Sequence, residues 1–143
     1  MFGKFLLFSA LLPIIWAGSN SNSLASKHER KFAAAFMELF EAQGYDGVKN
    51  VYFSEDFERL TSSKRVWNRT RYVGHLKSRF KTKLPTFFAE KNRKAYFETG
   101  KNGGEKYLIV EVTPEIGQKK TLQLRRNRAV FGGYQIRRII FGA

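Results

Sequence analysis

Glycine-containing turns separate four β-forming runs in the second half of the chain, and this alternation is the strongest constraint on the fold. The runs are RKAYFET, EKYLIVEV, KKTLQLRRNRAV and YQIRRIIF, and the segments between them are GKNGG, TPEIGQ and FGG. Valine, isoleucine and aromatic residues favour strands, whereas glycine clusters favour turns. The alternation therefore predicts an antiparallel meander of four strands.

The first half of the chain carries helical patterns. In SKHERKFAAAFMELFEAQG, Ser26 and Glu29 have the spacing of a capping box, and Gly44 is placed to end the helix. The apolar face of this helix carries phenylalanines four residues apart: Phe32, Phe36 and Phe40. A shorter helix capped by Asp46, a brief strand at DFERL and a third helix within NRTRYVGHLKSRF are expected to follow.

Helices that precede strands predict an α+β fold, in which the N-terminal helices pack on one face of a curved, mostly antiparallel sheet. The chain has no cysteine, so a hydrophobic core must stabilise the domain without disulfide bonds. We expect this core to join the first helix to the sheet through Phe32, Phe36, Phe40, Leu108, Val110, Leu122, Leu124, Ile136 and Ile139.

Near its start the chain has the pattern of a secretory signal peptide. Lys4 precedes an apolar run, FLLFSALLPIIW, that is shorter than the roughly 20 residues needed to cross a bilayer, and small residues follow it. We expect a signal peptide over residues 1–17, a flexible tail over residues 18–25 and a single domain over residues 26–143. The protein is thus expected to be secreted and extracellular. The open alternatives are cleavage at Gly18 or Ala25, or an uncleaved anchor.

The closing strand, YQIRRIIF, breaks strict alternation at Arg137 and Arg138. One inserted residue would place four residues on the same face of the sheet: Tyr134, Ile136, Ile139 and Phe141. The sequence therefore predicts a β-bulge at the two arginines, with both guanidinium groups pointing outward into solvent.

The segment Gly133-Tyr134-Gln135-Ile136 resembles the closing-strand pattern of the nuclear transport factor 2-like superfamily. The order of elements is also similar: a long helix, a short helix, a short strand, a third helix and a meander. The resemblance implies a cone-shaped sheet around a pocket, and a homodimer through the outer sheet face. It leaves two classes of function open, because the superfamily contains isomerases and dehydratases as well as binding or scaffolding modules.

The residues that such enzymes require are not evident in this sequence. No aspartate lies on a predicted long strand, Glu111 alternates opposite to the apolar residues of its strand, and Glu98 is equally consistent with an outward ion pair. His28 and His75 lie on helices without a visible partner. We therefore predict no catalytic residue, no metal site and no cofactor.

The formal net charge of +14 indicates an affinity for anionic partners, such as a glycan or an acidic protein surface. Nucleic acid is disfavoured, because no recognition motif accompanies the charge. From residue 116 onward the chain has no acidic residue, and a tight turn brings five arginines onto adjacent strands. These form a candidate polyanion-binding site: Arg125, Arg126, Arg128, Arg137 and Arg138. The alternative is a solvated strand surface.

The sequon Asn68-Arg69-Thr70 is a candidate N-glycosylation site, since it follows a polar turn and begins a helix. Taken together, the patterns favour a secreted, non-enzymatic binding or scaffolding module. The alternatives are a small pocket enzyme of the isomerase or dehydratase type, and a polyanion-binding protein that uses its arginine-rich sheet surface.

Overall fold

The computed structural model describes residues 22–85, 88, 92–100 and 104–142. The predicted signal peptide lies outside these residues. In chain order the elements are α1 (Ser23–Tyr52), β1 (Phe53–Leu60), β2 (Val66–Trp67), α2 (Arg69–Phe80), β3 (Arg93–Thr99), β4 (Lys106–Val112), β5 (Lys120–Arg126) and β6 (Tyr134–Phe141).

The strands form one sheet in the order β2-β1-β6-β5-β4-β3. Strands β3, β4, β5 and β6 pair antiparallel with one another in chain order, which confirms the predicted meander. Strand β1 pairs parallel with β6, so the sheet is mostly rather than entirely antiparallel. The predicted α+β class, with N-terminal helices packed on one face of the sheet, is confirmed.

Helix α1 begins earlier than the sequence predicted. Asn22 is its N-cap, and the Asn22 side-chain oxygen accepts a hydrogen bond of 3.0 Å from the Ala25 backbone N–H. The capping box at Ser26 was therefore wrong, and residues 23–25 belong to the helix instead of the predicted tail. Glu29 is buried and accepts a 2.8 Å hydrogen bond from Arg93 on β3, because that strand passes beside the helix.

The predicted end of the helix at Gly44 is visible as a break. Gly44 has φ 69° and ψ −159°, values outside the helical range, and residues 45–52 continue as a second helical segment. A left-handed φ of this kind is one that glycine adopts without steric cost. The expected short helix is therefore present after the break.

The core joins α1 to one face of the sheet. All nine residues expected to be buried are buried. Phe36 is at the centre, with its ring stacked on that of Phe88 at 5.3 Å and close to that of Tyr52 at 5.8 Å. Burial of apolar side chains from both layers is the main stabilising contribution in a chain without disulfides.

Strand β6 contains the predicted bulge. Gln123 pairs with Arg138 and Leu124 pairs with Ile136, which leaves Arg137 as the extra residue. Both arginines point to the outer face, but the expectation that they face solvent was wrong: their side chains are only 16% and 30% exposed. The reason is the parallel pairing of β1 with β6, which brings the carboxylates of Asp56 and Glu58 against them.

Candidate functional site

A cavity of about 230 Å³ lies between α2, the ends of β1 and β6, and the segment that precedes β5. Its basic side chains are Arg59, Arg79 and Lys120, and no carboxylate is among the described residues that line it. Apolar side chains form most of the remaining wall, including Leu76, Phe80 and Phe141. The cavity therefore combines positive charge with an apolar wall.

Arg59 is the most unusual of these basic residues, because aromatic rings surround its guanidinium group. The guanidinium carbon lies 4.1 Å from the ring centre of Trp67 and 4.7 Å from that of Phe141. The Arg59 Nε is buried and has no hydrogen-bond partner. Burial lowers the pKa of Arg59, and the charges of Arg65 and Arg71 add to this effect.

Two further donors near Arg59 also have no partner. The Tyr72 hydroxyl and the Trp67 indole N–H are both buried and make no hydrogen bond. Burial raises the pKa of Tyr72, so its hydroxyl carries a proton at neutral pH. A buried donor without an acceptor is costly, and such groups commonly indicate a missing ligand or water. Arg59 and Tyr72 line the cavity whereas Trp67 does not, so an acceptor in the cavity would be aimed at the first two.

The two histidines lie in separate places. His75 lines the cavity on the exposed side of α2, with its ring 5.4 Å from that of Trp67. His28 lies on α1, where its Nδ1 is 3.0 Å from the Tyr134 hydroxyl. Burial and the nearby charge of Arg126 lower the pKa of His28.

The two strand glutamates lie on the outer face of the sheet. Glu98 is exposed, whereas the Glu111 side chain is largely covered. Glu111 accepts a 2.6 Å hydrogen bond from the Tyr96 hydroxyl and pairs with Lys119 at 3.2 Å. These contacts lower the pKa of Glu111, and the Tyr96 hydrogen bond contributes most. The prediction that Glu111 lies opposite the apolar face of its strand is correct, and its partners cover most of its side chain.

The structure divides the five candidate arginines into two groups. Arg125, Arg137 and Arg138 lie on the outer face and pair with carboxylates. Arg125 and Arg137 share Asp56, at 2.9 and 3.1 Å, and Arg138 reaches Glu58 at 2.8 Å. The Arg125 hydrogen bond is the main cause of a strongly lowered pKa at Asp56.

Arg126 and Arg128 belong to a different surface. They line a hollow of about 700 Å³ together with Lys27, His28 and Lys31 of α1. The loop between β5 and β6 lies against the start of α1, so cations that are about 100 residues apart in sequence become neighbours. No local pattern in the sequence indicates this grouping. Arg59 was also not identified from the sequence, because a single arginine near the end of a short strand forms no recognisable motif.

The glycosylation candidate Asn68 is the N-cap of α2. Its side-chain oxygen accepts a 2.9 Å hydrogen bond from the Arg71 backbone N–H, which leaves its amide nitrogen free of this contact. Asn68 and Thr70 are both exposed. The sequon is therefore reachable from solvent.

Two other kinds of feature are absent from the part of the chain that the structure describes. No group of three or more His, Cys, Asp or Glu side chains there could hold a metal ion. No helix there is long and apolar enough to span a membrane.

Comparison with known proteins matched solved structures only. No family model and no curated protein matches the chain. Similar solved structures include an NTF-2 like protein of unknown function from Shewanella oneidensis, with a TM-score of 0.44 and 8% identity, covering 82% of this chain and 98% of the other. A second such protein, from Pseudomonas aeruginosa, gives a TM-score of 0.41 and 17% identity over 82% and 97% of the two chains.

A third similar structure is ActVI-ORFA from Streptomyces coelicolor, with a TM-score of 0.43 and 17% identity over 84% and 96% of the two chains. At these identities the similarity concerns the backbone arrangement. The properties of the site follow from the side chains of this chain alone.

Proposed function

We propose that this protein is a secreted, non-enzymatic binding module that holds a small amphipathic anion in the cavity beside Arg59. The observation that carries the proposal is a guanidinium group enclosed by aromatic rings, with the buried and unpartnered Tyr72 hydroxyl on the same wall. A carboxylate or similar group would accept hydrogen bonds from both residues, and the apolar wall would contact the body of the ligand.

The size of the cavity limits the ligand. Its volume of about 230 Å³ is below the range of about 300–1,000 Å³ that is common for drug-sized ligands. The ligand is therefore a compact molecule, such as an aromatic or short-chain carboxylate, or it extends partly into solvent. A binding role is favoured over proton-transfer catalysis because the described residues of the wall include no carboxylate base, and the one histidine among them, His75, lies on the exposed side of α2.

A calorimetric titration tests this proposal. Phenylacetate and octanoate are compared with their neutral alcohols, and wild-type protein should bind each acid more tightly than its alcohol. Arg59→Gln should weaken acid binding by about tenfold or more, since hydrogen bonds to charged groups contribute about 1.5–3 kcal/mol. Tyr72→Phe should also weaken it by about tenfold or more, because the acceptor of the lost hydrogen bond is the charged carboxylate.

Arg65→Gln is the matched control, because it removes the same charge from an exposed position nearby. It should leave the preference for acids intact, and Arg59→Lys should retain part of it. The proposal is wrong if wild-type protein binds acid and alcohol equally, or if Arg59→Gln and Arg65→Gln have the same effect.

Secretion is the second part of the proposal, and it is supported by the apolar run after Lys4 and by the exposed sequon at Asn68. Expression of the full chain in cultured eukaryotic cells should release a protein into the medium that lacks residues 1–17 and loses mass on endoglycosidase treatment. Thr70→Ala should abolish that loss while it preserves the Asn68 cap. Thr70→Ser keeps the sequon, so this variant should still lose mass on endoglycosidase treatment. Retention of the intact N-terminus inside the cells would contradict this part.

A further inference from the structure

The hollow between α1 and the β5–β6 loop has the composition of an interaction surface. Four cations, Lys27, Lys31, Arg126 and Arg128, line it together with the apolar side chains of Leu24 and Phe131. We call this surface the basic groove. It is separate from the cavity beside Arg59, and its role does not depend on the ligand proposed for that cavity.

Phe131 is the exceptional member of the basic groove, because 87% of its surface is exposed while its backbone is held in place. The Tyr52 hydroxyl, which lies in the core, donates a 2.9 Å hydrogen bond to the Phe131 carbonyl oxygen. The next residue, Gly132, has φ 84° and packs so closely on α1 that a Cβ there would lie 3.0 Å from the Cα of Phe32. The fold therefore presents this ring to solvent from a fixed position.

The cations of the basic groove differ from those of the outer face. Among the described residues, no carboxylate lies within 4.0 Å of the charged groups of Lys27, Lys31, Arg126 or Arg128, whereas Arg125, Arg137 and Arg138 are all paired. Arg126 instead has its guanidinium carbon 5.2 Å from the ring centre of Tyr134. The groove cations thus retain their capacity to bind an external anion.

We propose that the basic groove docks on an anionic lipid membrane, with Phe131 inserted among the lipids and the four cations at the headgroups. Cations attract anionic headgroups, and an apolar ring anchors by entering the boundary between headgroups and acyl chains. Leu24, which is 55% exposed, adds apolar surface beside the ring. A sulfated glycan would use the same cations but would gain little from an exposed phenylalanine. The combination of cations with an exposed apolar ring therefore favours a membrane over a sulfated glycan.

Vesicle co-sedimentation tests the proposal. Wild-type protein should bind vesicles of phosphatidylcholine with 30% phosphatidylserine, and should not bind vesicles of phosphatidylcholine alone. Lys31→Ser with Arg128→Ser should weaken binding about thirtyfold, since each cation near an anionic surface contributes about fivefold. Phe131→Ser should weaken it about tenfold or more, as expected when one aromatic anchor is lost.

Matched control variants remove the same kinds of side chain from exposed positions outside the basic groove. Arg65→Ser with Lys83→Ser removes two exposed cations, and Val66→Ser removes an exposed apolar side chain. Both control variants should bind vesicles within about twofold of wild type, allowing for the small long-range effect of net charge. Phe131→Trp should bind and should shift its fluorescence to shorter wavelength with the anionic vesicles only.

Two results would overturn the proposal. In the first, Phe131→Ser binds the anionic vesicles as tightly as wild type, or Phe131→Trp shows no fluorescence shift when bound. In the second, the protein does not bind vesicles, yet its retention on immobilised heparin falls in the Lys31/Arg128 variant and not in the Arg65/Lys83 variant. That second result would assign the basic groove to a sulfated glycan.

Discussion

Replacement of Phe36 by alanine tests the packing of α1 on the sheet. Phe36 is 2% exposed, and its ring lies within 6.3 Å of the rings of four other aromatic residues: Phe32, Tyr52, Phe53 and Phe88. Truncation of a buried phenylalanine costs about 3–5 kcal/mol through lost transfer free energy and the cavity that remains. Aromatic pairs contribute about 0.5–1.5 kcal/mol beyond their buried area, so we expect a value in the upper half of that range.

Urea denaturation followed by circular dichroism measures this change. With a slope of about 1–3 kcal/mol per molar urea, a loss of about 4 kcal/mol lowers the midpoint by at least about 1 M. Since the total stability of a domain is about 5–15 kcal/mol, Phe36→Ala is expected to be folded but marginal, and Phe36→Leu provides a milder second variant. Met37→Ala, at the exposed neighbouring position, should cost under about 1 kcal/mol. A Phe36→Ala midpoint equal to that of wild type would refute this account of the core.

Three other perturbations have defined outcomes. Asn22→Ala should lower the free energy of unfolding by about 1 kcal/mol, because it removes the cap of α1, and a urea midpoint equal to that of wild type would contradict the assigned N-cap. Gly132→Ala should cost about 1–3 kcal/mol, since it requires a strained φ and a close contact with Phe32; Gly104→Ala, where a Cβ meets nothing, should be nearly neutral. The lowered pKa of Asp56 stabilises the folded state above its unfolded pKa of about 4, and this contribution is lost as the pH falls. On acidification from pH 7 to pH 2, the melting temperature should therefore fall less for Asp56→Asn than for wild type. If it falls equally in both proteins, the ion pairs of Asp56 are not the cause of the acid destabilisation.

The sequence was sufficient to predict the elements but not all of their neighbours. Period-two alternation and glycine turns located the four strands of the meander, and the failure of alternation at Arg137 located the bulge. These are local signals. The parallel pairing of β1 with β6 has no local signal, because the two strands lie about 80 residues apart in sequence. For the same reason the sequence could not show that Arg137 and Arg138 meet acidic partners, or that Lys31 lies near Arg128.

The role of each arginine follows from what the fold places beside it. On the outer face, β1 supplies Asp56 and Glu58, so the guanidinium groups of Arg137 and Arg138 already donate to carboxylates, and an external anion would have to displace them. At the cavity, β1 supplies Arg59 itself. Aromatic rings, and not a carboxylate, lie beside its guanidinium group. At the basic groove, α1 supplies more cations. Net charge alone would treat these positions as equivalent, whereas the fold pairs the first group with carboxylates and, among the described residues, gives the other two no carboxylate partner. Measurements that vary salt should separate them, because binding at the basic groove weakens steeply with ionic strength while a partly buried cation such as Arg59 is screened much less.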